Sequence, residues 1–195
     1  MRVIVAIVLL TASGALAEPV WQTQRTSVGL GFGGRWTKSV EVGGGGRAMA
    51  VSGAGPVVNL TGSFGWHRGA LRLGGLGSYE LMIDPEHDLD VFAAGPLLPK
   101  TESALRVSTA HFFSLGPFIG AQTSGEGLVG FADLAMLVDL MAAEIEDTGT
   151  RLGLRFVPTA RAGLVVDMGF ASFELWVYGS TLVTPRVGVC LALGF

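Results

Sequence analysis

The last ten residues, Arg186 to Phe195, constrain the fold more than any other stretch. Val187, Val189, Leu191, Leu193 and Phe195 are large and apolar, while Gly188, Cys190, Ala192 and Gly194 between them are small. A strand sends alternate side chains to opposite faces, so this segment has one greasy face and one thin face. The pattern suits the last strand of a closed barrel in a membrane. Such a strand presents apolar residues to lipid, pairs with the first strand and leaves no edge.

The same period of two runs back through the chain. A first run, Thr26 to Trp36, sets Val28, Leu30, Phe32 and Trp36 against Ser27, Gly29, Gly31, Gly33 and Arg35. Thr37 to Gly55, centred on four glycines at Gly43 to Gly46, reads as a loop whose later part, Ala48 to Val51, is available to extend the next strand. The second run is Pro56 to Trp66 and the third Ala70 to Ile83, joined at His67-Arg68-Gly69 into the clearest hairpin. Asp84 to Ser103, rich in proline and acid, reads as an exposed loop. The fourth run extends from Ala104 to about Gln122, with Pro117 at odds with a regular ladder and Thr123 to Gly127 preferred as its turn over Ser114 to Pro117. The fifth, Leu128 to Leu140, has a helix as competitor because Ala, Leu and Met favour one. The sixth is Arg151 to Val166 and the seventh Phe170 to Ser180, before the terminal strand. The reading is all-β: an up-and-down antiparallel transmembrane β-barrel of about eight strands, with the shorter turns at one end and the longer loops at the other.

Charges within the runs obey the same parity. Arg35, Arg72, Arg155, Arg161, Glu80, Asp133, Asp139 and Glu174 all fall on the thin or polar face. A basic side chain facing lipid at the membrane midplane costs roughly 2–4 kcal/mol, so the large-apolar face is the lipid face. Four bases then balance four acids inside a barrel too narrow for a wide channel. The expectation is a filled lumen with internal ion pairs, no porin-like conductance, and Trp176 and Tyr178 filling space above interior glycines.

Composition and address agree with this. Glycine contributes 30 of 195 residues, charged residues are 15%, and mean hydropathy is +0.52. The first seventeen residues read as a signal peptide: Arg2, an apolar core from Val3 to Leu10, and an A-x-A pattern ending at Ala17. Residues 18–195 are then the barrel domain. Taking Arg2 from the 13 basic residues leaves 12 against 16 acidic, a net charge of −4. That balance argues against a nucleic-acid partner. Cys190 is the only cysteine, which excludes an intrachain disulfide.

The leader, the alternating runs and the ending Leu191-x-Leu193-x-Phe195 resemble the small bacterial outer-membrane β-barrels, the OmpA/OmpX-like class. The resemblance implies a cell outer-membrane address and outer-membrane lipid around the wall. It also implies recognition of the C-terminal strand at Phe195 by the outer-membrane assembly machinery. Leu193 stands where that class often has an aromatic. A monomer is expected. The resemblance does not specify one activity, because fold is not function.

Three chemistries deserve weighing. A lipid-modifying enzyme needs a His and a hydroxyl on one strand face with an acid nearby. His111 has Thr109 and Phe113 on its face and Ser108 and Ser114 on the other, so it reads as an interfacial side chain near the outer rim. His67 lies in a turn, and His87 sits among Asp84, Glu86, Asp88 and Asp90 without a calcium-loop spacing, which reads as a solvated acidic loop. The glycines at 29, 31 and 33 have no following helix, which removes a dinucleotide reading. No catalytic, cofactor-binding or metal residue is assigned and no cofactor is expected. The functional expectation is a structural or surface-loop binding role, the loop being 84–103. The alternatives are a lipid-modifying outer-membrane enzyme or a soluble lipocalin-like ligand carrier, the latter with its apolar faces turned inward.

Overall fold

The structure, a computed structural model, describes residues 21–23, 26–44, 47–93, 102–123, 127–180 and 185–195. The expected leader at residues 1–17 lies outside them. The strands are β1 (Gln22–Thr23), β2 (Ser27–Gly44), β3 (Arg47–Arg68), β4 (Leu71–Met82), β5 (Leu89–Ala93), β6 (Glu102–Gln122), β7 (Leu128–Ile145), β8 (Gly149–Asp167), β9 (Ser172–Ser180) and β10 (Arg186–Gly194). A one-turn helix, α1 (Pro85–Asp88), separates β4 from β5.

All pairings are antiparallel. Eight strands close a ring in the order β2, β3, β4, β6, β7, β8, β9, β10, with β10 returning to β2 from Arg186↔Arg35 to Gly194↔Ser27. The thin face of the terminal strand is inward: Cys190 and Ala192 are buried while Leu191 and Leu193 are about half exposed. β5 pairs with β3 and β6 above β4, so β4, α1 and β5 act as one wall strand with a helical turn inserted in it. β1 continues the β2 side of the ladder on β3 at the end where Phe195 lies, hereafter the lower end. The turns at the lower end are short, with a tight link at Gly69-Ala70 and a bend at Gly169-Phe170.

Parity survives as inferred in the lower two-thirds of the wall. Leu30, Phe32, Leu115, Leu134, Leu154, Phe156, Leu175 and Val189 point outward and are exposed, forming an apolar belt. A water-facing exterior would carry charge there. The inverse arrangement of a lipocalin-like carrier, with its large apolar faces inward along these strands, is therefore excluded. β7 is a strand over its full length, so tertiary pairing with β6 and β8 overrides the helix preference of its Ala, Leu and Met residues.

Most of the sequence boundaries fall short of the strands at the upper end, although β4 and β9 are slightly shorter than the runs read for them. Thr37 to Gly55 is not a loop. β2 runs to Gly44 and β3 starts at Arg47, and Val40↔Val51 through Gly44↔Arg47 extend the hairpin. The reading failed because a bulge lies between Thr37 and Val40, with Ser39 at φ 49°. An extra residue shifts the parity, so Thr37 and Val40 both point inward. The Asp84 to Ser103 loop is likewise part wall, because α1 and β5 occupy its first half. Pro117 sits on the lipid side of an unbroken β6, opposite Gly75. The β6–β7 register skips from Leu115 to Phe118, where proline has no N–H to offer.

Candidate functional site

Among the described residues, the buried charged side chains converge in the lumen, which is built in three layers. The upper layer is apolar. Val40 and Val42 of β2, Met49 and Val51 of β3, Leu89 and Val91 of β5, Val107 and Ala110 of β6, and Met141, Ala143 and Ile145 of β7 form one buried cluster. Two bulges make it possible, the one at Ser39 and another between Val107 and Thr109, each turning the next alternate residues inward.

The middle layer is a hydrogen-bonded ion network. Arg35 donates to Glu80 Oε2 and to Asp139 Oδ2. Arg186 reaches Glu80 Oε1 at 3.1 Å, Ser114 Oγ at 3.2 Å and Thr159 Oγ1 at 2.9 Å. Ser114 donates to Asp139 Oδ1 at 2.7 Å. Tyr178 donates to Glu80 Oε1 at 3.4 Å and accepts from Asn59. The Arg35 guanidinium lies 3.9 Å from the centre of the Phe112 ring, which joins this layer to the apolar one above. Both arginines and both acids are almost wholly buried. In such a place each charge needs its partner, since removal of one leaves an uncompensated buried ion.

The lower layer mixes ions with aromatic rings. Asp133 accepts from Arg161 Nε at 2.7 Å and lies 3.5 Å from Arg72 Nε. The Arg72 guanidinium stands 4.2 Å from the Phe131 centroid, and that of Arg161 stands 4.7 Å from Phe118 and 4.9 Å from Trp176. Glu174 is buried here and takes a hydrogen bond from Ser27. Interior glycines make room for the large side chains. A Cβ on Gly163 would come within 2.6 Å of Trp176, and one on Gly188 within 2.6 Å of the Tyr178 ring.

Seven of the eight charges that parity placed inside occupy these layers. Arg155 does not: it shares the inward parity of β8 yet is partly exposed, and it donates to the Ser39 carbonyl on β2. Arg186 is a lumen charge that the sequence tally omitted. It shares the parity of Gly188 and Cys190, so extending the terminal alternation by one step finds it.

On the outside of the wall, His111 stacks on Tyr79 with ring centres 5.8 Å apart, and its Nδ1 is 2.7 Å from the Tyr79 hydroxyl. Tyr79 also packs against Phe113 at 5.0 Å. Thr109, next on that face, donates to Glu144 at 3.0 Å. Trp36 on the same upper margin, and Trp66 and Phe195 below, are exposed. On α1, His87 Nδ1 is 2.8 Å from Asp84 Oδ1. That hydrogen bond, reinforced by the Asp84 charge, raises the His87 pKa above its ordinary value. Among the described residues, no three His, Cys, Asp or Glu side chains are grouped to hold a metal ion.

A closed eight-stranded antiparallel ring with an apolar outer belt and charged side chains turned to its interior defines the class. The chain is a small transmembrane β-barrel of the outer-membrane type, and this architecture places it in the cell outer membrane. Its fold is similar to that of Neisserial surface protein A, with a TM-score of 0.55 at 5% identity, covering 88% of this chain and 97% of that one. Ail, the attachment invasion locus protein of Yersinia pestis, aligns over 88% of this chain and 98% of its own at 12% identity, with a TM-score of 0.42. No protein-family model matches the sequence, and no curated protein does.

Proposed function

We propose that this protein is a plugged, non-enzymatic, monomeric outer-membrane barrel whose work is done at its outer surface. The observation that carries the reading is the lumen in series: an apolar layer, an ion network and an ion–aromatic layer stacked across the same bore. Water and solutes have no continuous polar path through the apolar layer. The barrel then serves as a rigid support, held by outer-membrane lipid and inserted by the assembly machinery through the strand ending at Phe195. The surface it presents is the acidic segment beginning at Asp84, where Asp84, Glu86 and Asp90 are exposed around α1. Its charge suits a basic partner. Among the described residues, Nδ1 of His111 is taken by a phenol and the Thr109 hydroxyl is turned to Glu144 rather than to an imidazole, which favours the non-enzymatic reading.

Planar-bilayer recording tests the plug. The purified protein should give no large, stable conductance, and an open channel from the folded monomer refutes the reading. The surface role is tested with Glu86→Gln and Asp90→Asn in the intact barrel, because β5 is part of the wall and deleting all of 84–103 would breach it. Weakened binding to a basic surface such as a polylysine-coated bead supports the role. Unchanged binding refutes it.

A further inference from the structure

The wall has a seam. The β9–β10 hairpin is the short one: β10 leaves β2 at Arg35, and β9 leaves β8 at Ala160. Above that level β2 and β8 face each other, yet their only register pair is Gly43↔Leu152. Lys38 to Val42 of β2 and Gly153 to Thr159 of β8 thus have no ladder between them. Two arginines of β8 lean across. Arg155 donates to the carbonyl of Ser39, which the left-handed bulge turns out of the ladder. Arg151 lies over Gly44, where a Cβ would meet its Nη1 at 2.9 Å, and its Nε is buried without a hydrogen-bond partner. Lys38 is exposed on the bulge between them and the belt.

These cations differ from every arginine of the lumen layers. Arg35, Arg72, Arg161 and Arg186 each have a carboxylate partner. Among the described residues, Arg151, Arg155 and Lys38 make no ion pair. Of the exposed acids of the upper end, Asp84, Glu86 and Asp90 lie around α1 and β5, Glu144 faces Thr109 of β6, and Glu146 and Asp147 lie in the β7–β8 turn, where the Glu146 N–H is tied to the Arg106 carbonyl. Glu41 is the one acid on this part of β2. Trp36 stands below the seam, and Leu154 and Phe156, which flank Arg155 on β8, point outward from it; all three are exposed at the upper margin of the belt. Unpaired cations at that depth meet the headgroup zone of the outer leaflet.

We propose that the β2–β8 seam is a phosphoanion site, with Arg155 as the fixed donor and Lys38 and Arg151 as flanking charges. A guanidinium held by one N–H and free at the others matches the oxygens of a phosphate. The phosphate is that of a phosphorylated glycolipid in the outer leaflet or a free phosphate ion. The inference rests on the outer-membrane address and not on the plug or on α1.

The test uses the folded protein in phosphatidylcholine nanodiscs, without additive, with a diphosphorylated glycolipid, with its dephosphorylated form, or with inorganic phosphate. Arg155 Nε–H is followed by NMR and retained glycolipid by native mass spectrometry. The diphosphorylated lipid should shift Arg155 and be retained, and the dephosphorylated form should do neither. Arg155→Gln and Lys38→Gln should each lower retention, by about tenfold for loss of one charge-assisted contact. Arg155→Lys should restore part of it, and Arg106→Gln, on the opposite wall, should change nothing. Lys38 is exposed and, among the described residues, its side chain makes no hydrogen bond or ion pair, so its variant separates binding from barrel stability. A shift with inorganic phosphate alone assigns the site to the free ion. Equal retention by wild type, Arg155→Gln and Lys38→Gln, or no Arg155 shift with either phosphate source, overturns the proposal.

Discussion

The lower and upper parts of this barrel share one backbone architecture and have opposite side-chain logic. Below, on β10, Leu191 faces out and Cys190 faces in, and the interior carries Glu80, Asp133, Asp139 and four paired arginines. Above, on β2, Glu41 faces out and Val40 and Val42 face in, and the interior is wholly apolar. The backbone is laddered in both except at the β2–β8 seam of the upper part. What differs is the medium outside. Lipid accepts apolar side chains and excludes charge, which leaves the polar residues to the bore. Water rewards burial of apolar surface, at roughly 25 cal/mol per Å2, so the upper collar packs like a small soluble barrel. The bulges at Ser39 and between Val107 and Thr109 lie in the upper part, where β2 and β6 change the sense of their alternation.

The comparison is broken most directly through the ion network. Glu80→Leu removes the acid shared by Arg35 and Arg186 and should cost about 3–5 kcal/mol in urea unfolding from lipid vesicles. A loss near zero would mean that the lower interior tolerates unpaired arginine and is wetter than its burial implies. In the collar, the matching change is Met141→Ala, which hollows an apolar core and should cost about 2–5 kcal/mol in the same assay. Truncating the outward Leu191 to Ala should cost far less, because lipid fills the space. The outer faces are compared with Leu191→Arg, expected to cost about 2–4 kcal/mol in the belt. Against it stands Glu41→Arg in the collar, expected to stay within about 0.5 kcal/mol. Equal costs would place the collar in lipid as well. The smallest effect is at His87. Its folded pKa lies above the unfolded one, so the Asp84 contact contributes fully below the ordinary His range and is lost as pH rises through the raised value. An NMR titration should find the His87 pKa lowered toward its ordinary value in Asp84→Asn. No change would remove Asp84 as the cause.

Much of the lower barrel was legible because one rule governs it. Where lipid lies outside, the large outward side chains are apolar and the charges of the runs turn inward, so Glu80, Asp133, Asp139 and Glu174 could be assigned inward by counting. The upper barrel was not legible in that way. Met49 and Val51 are alternating apolar residues like those of the belt, and nothing in their types says that they face the bore. Ser39 gives no local sign of a left-handed bulge, because its conformation is imposed by the ladder on either side and by Arg155 across the seam. The partners within the lumen were also out of reach. Parity places Arg35 and Asp139 inside, but only closure of the ring brings β2 opposite β7 and joins them.

The sequence by itself determined the period, the strand count and which face meets lipid, since these follow from local alternation and from the cost of a charge in hydrocarbon. Tertiary structure decided the pairing of the charges, the inversion of the collar and the seam between β2 and β8. Each of those depends on which strands become neighbours when the sheet closes, and on where a short hairpin leaves two longer strands to meet above it.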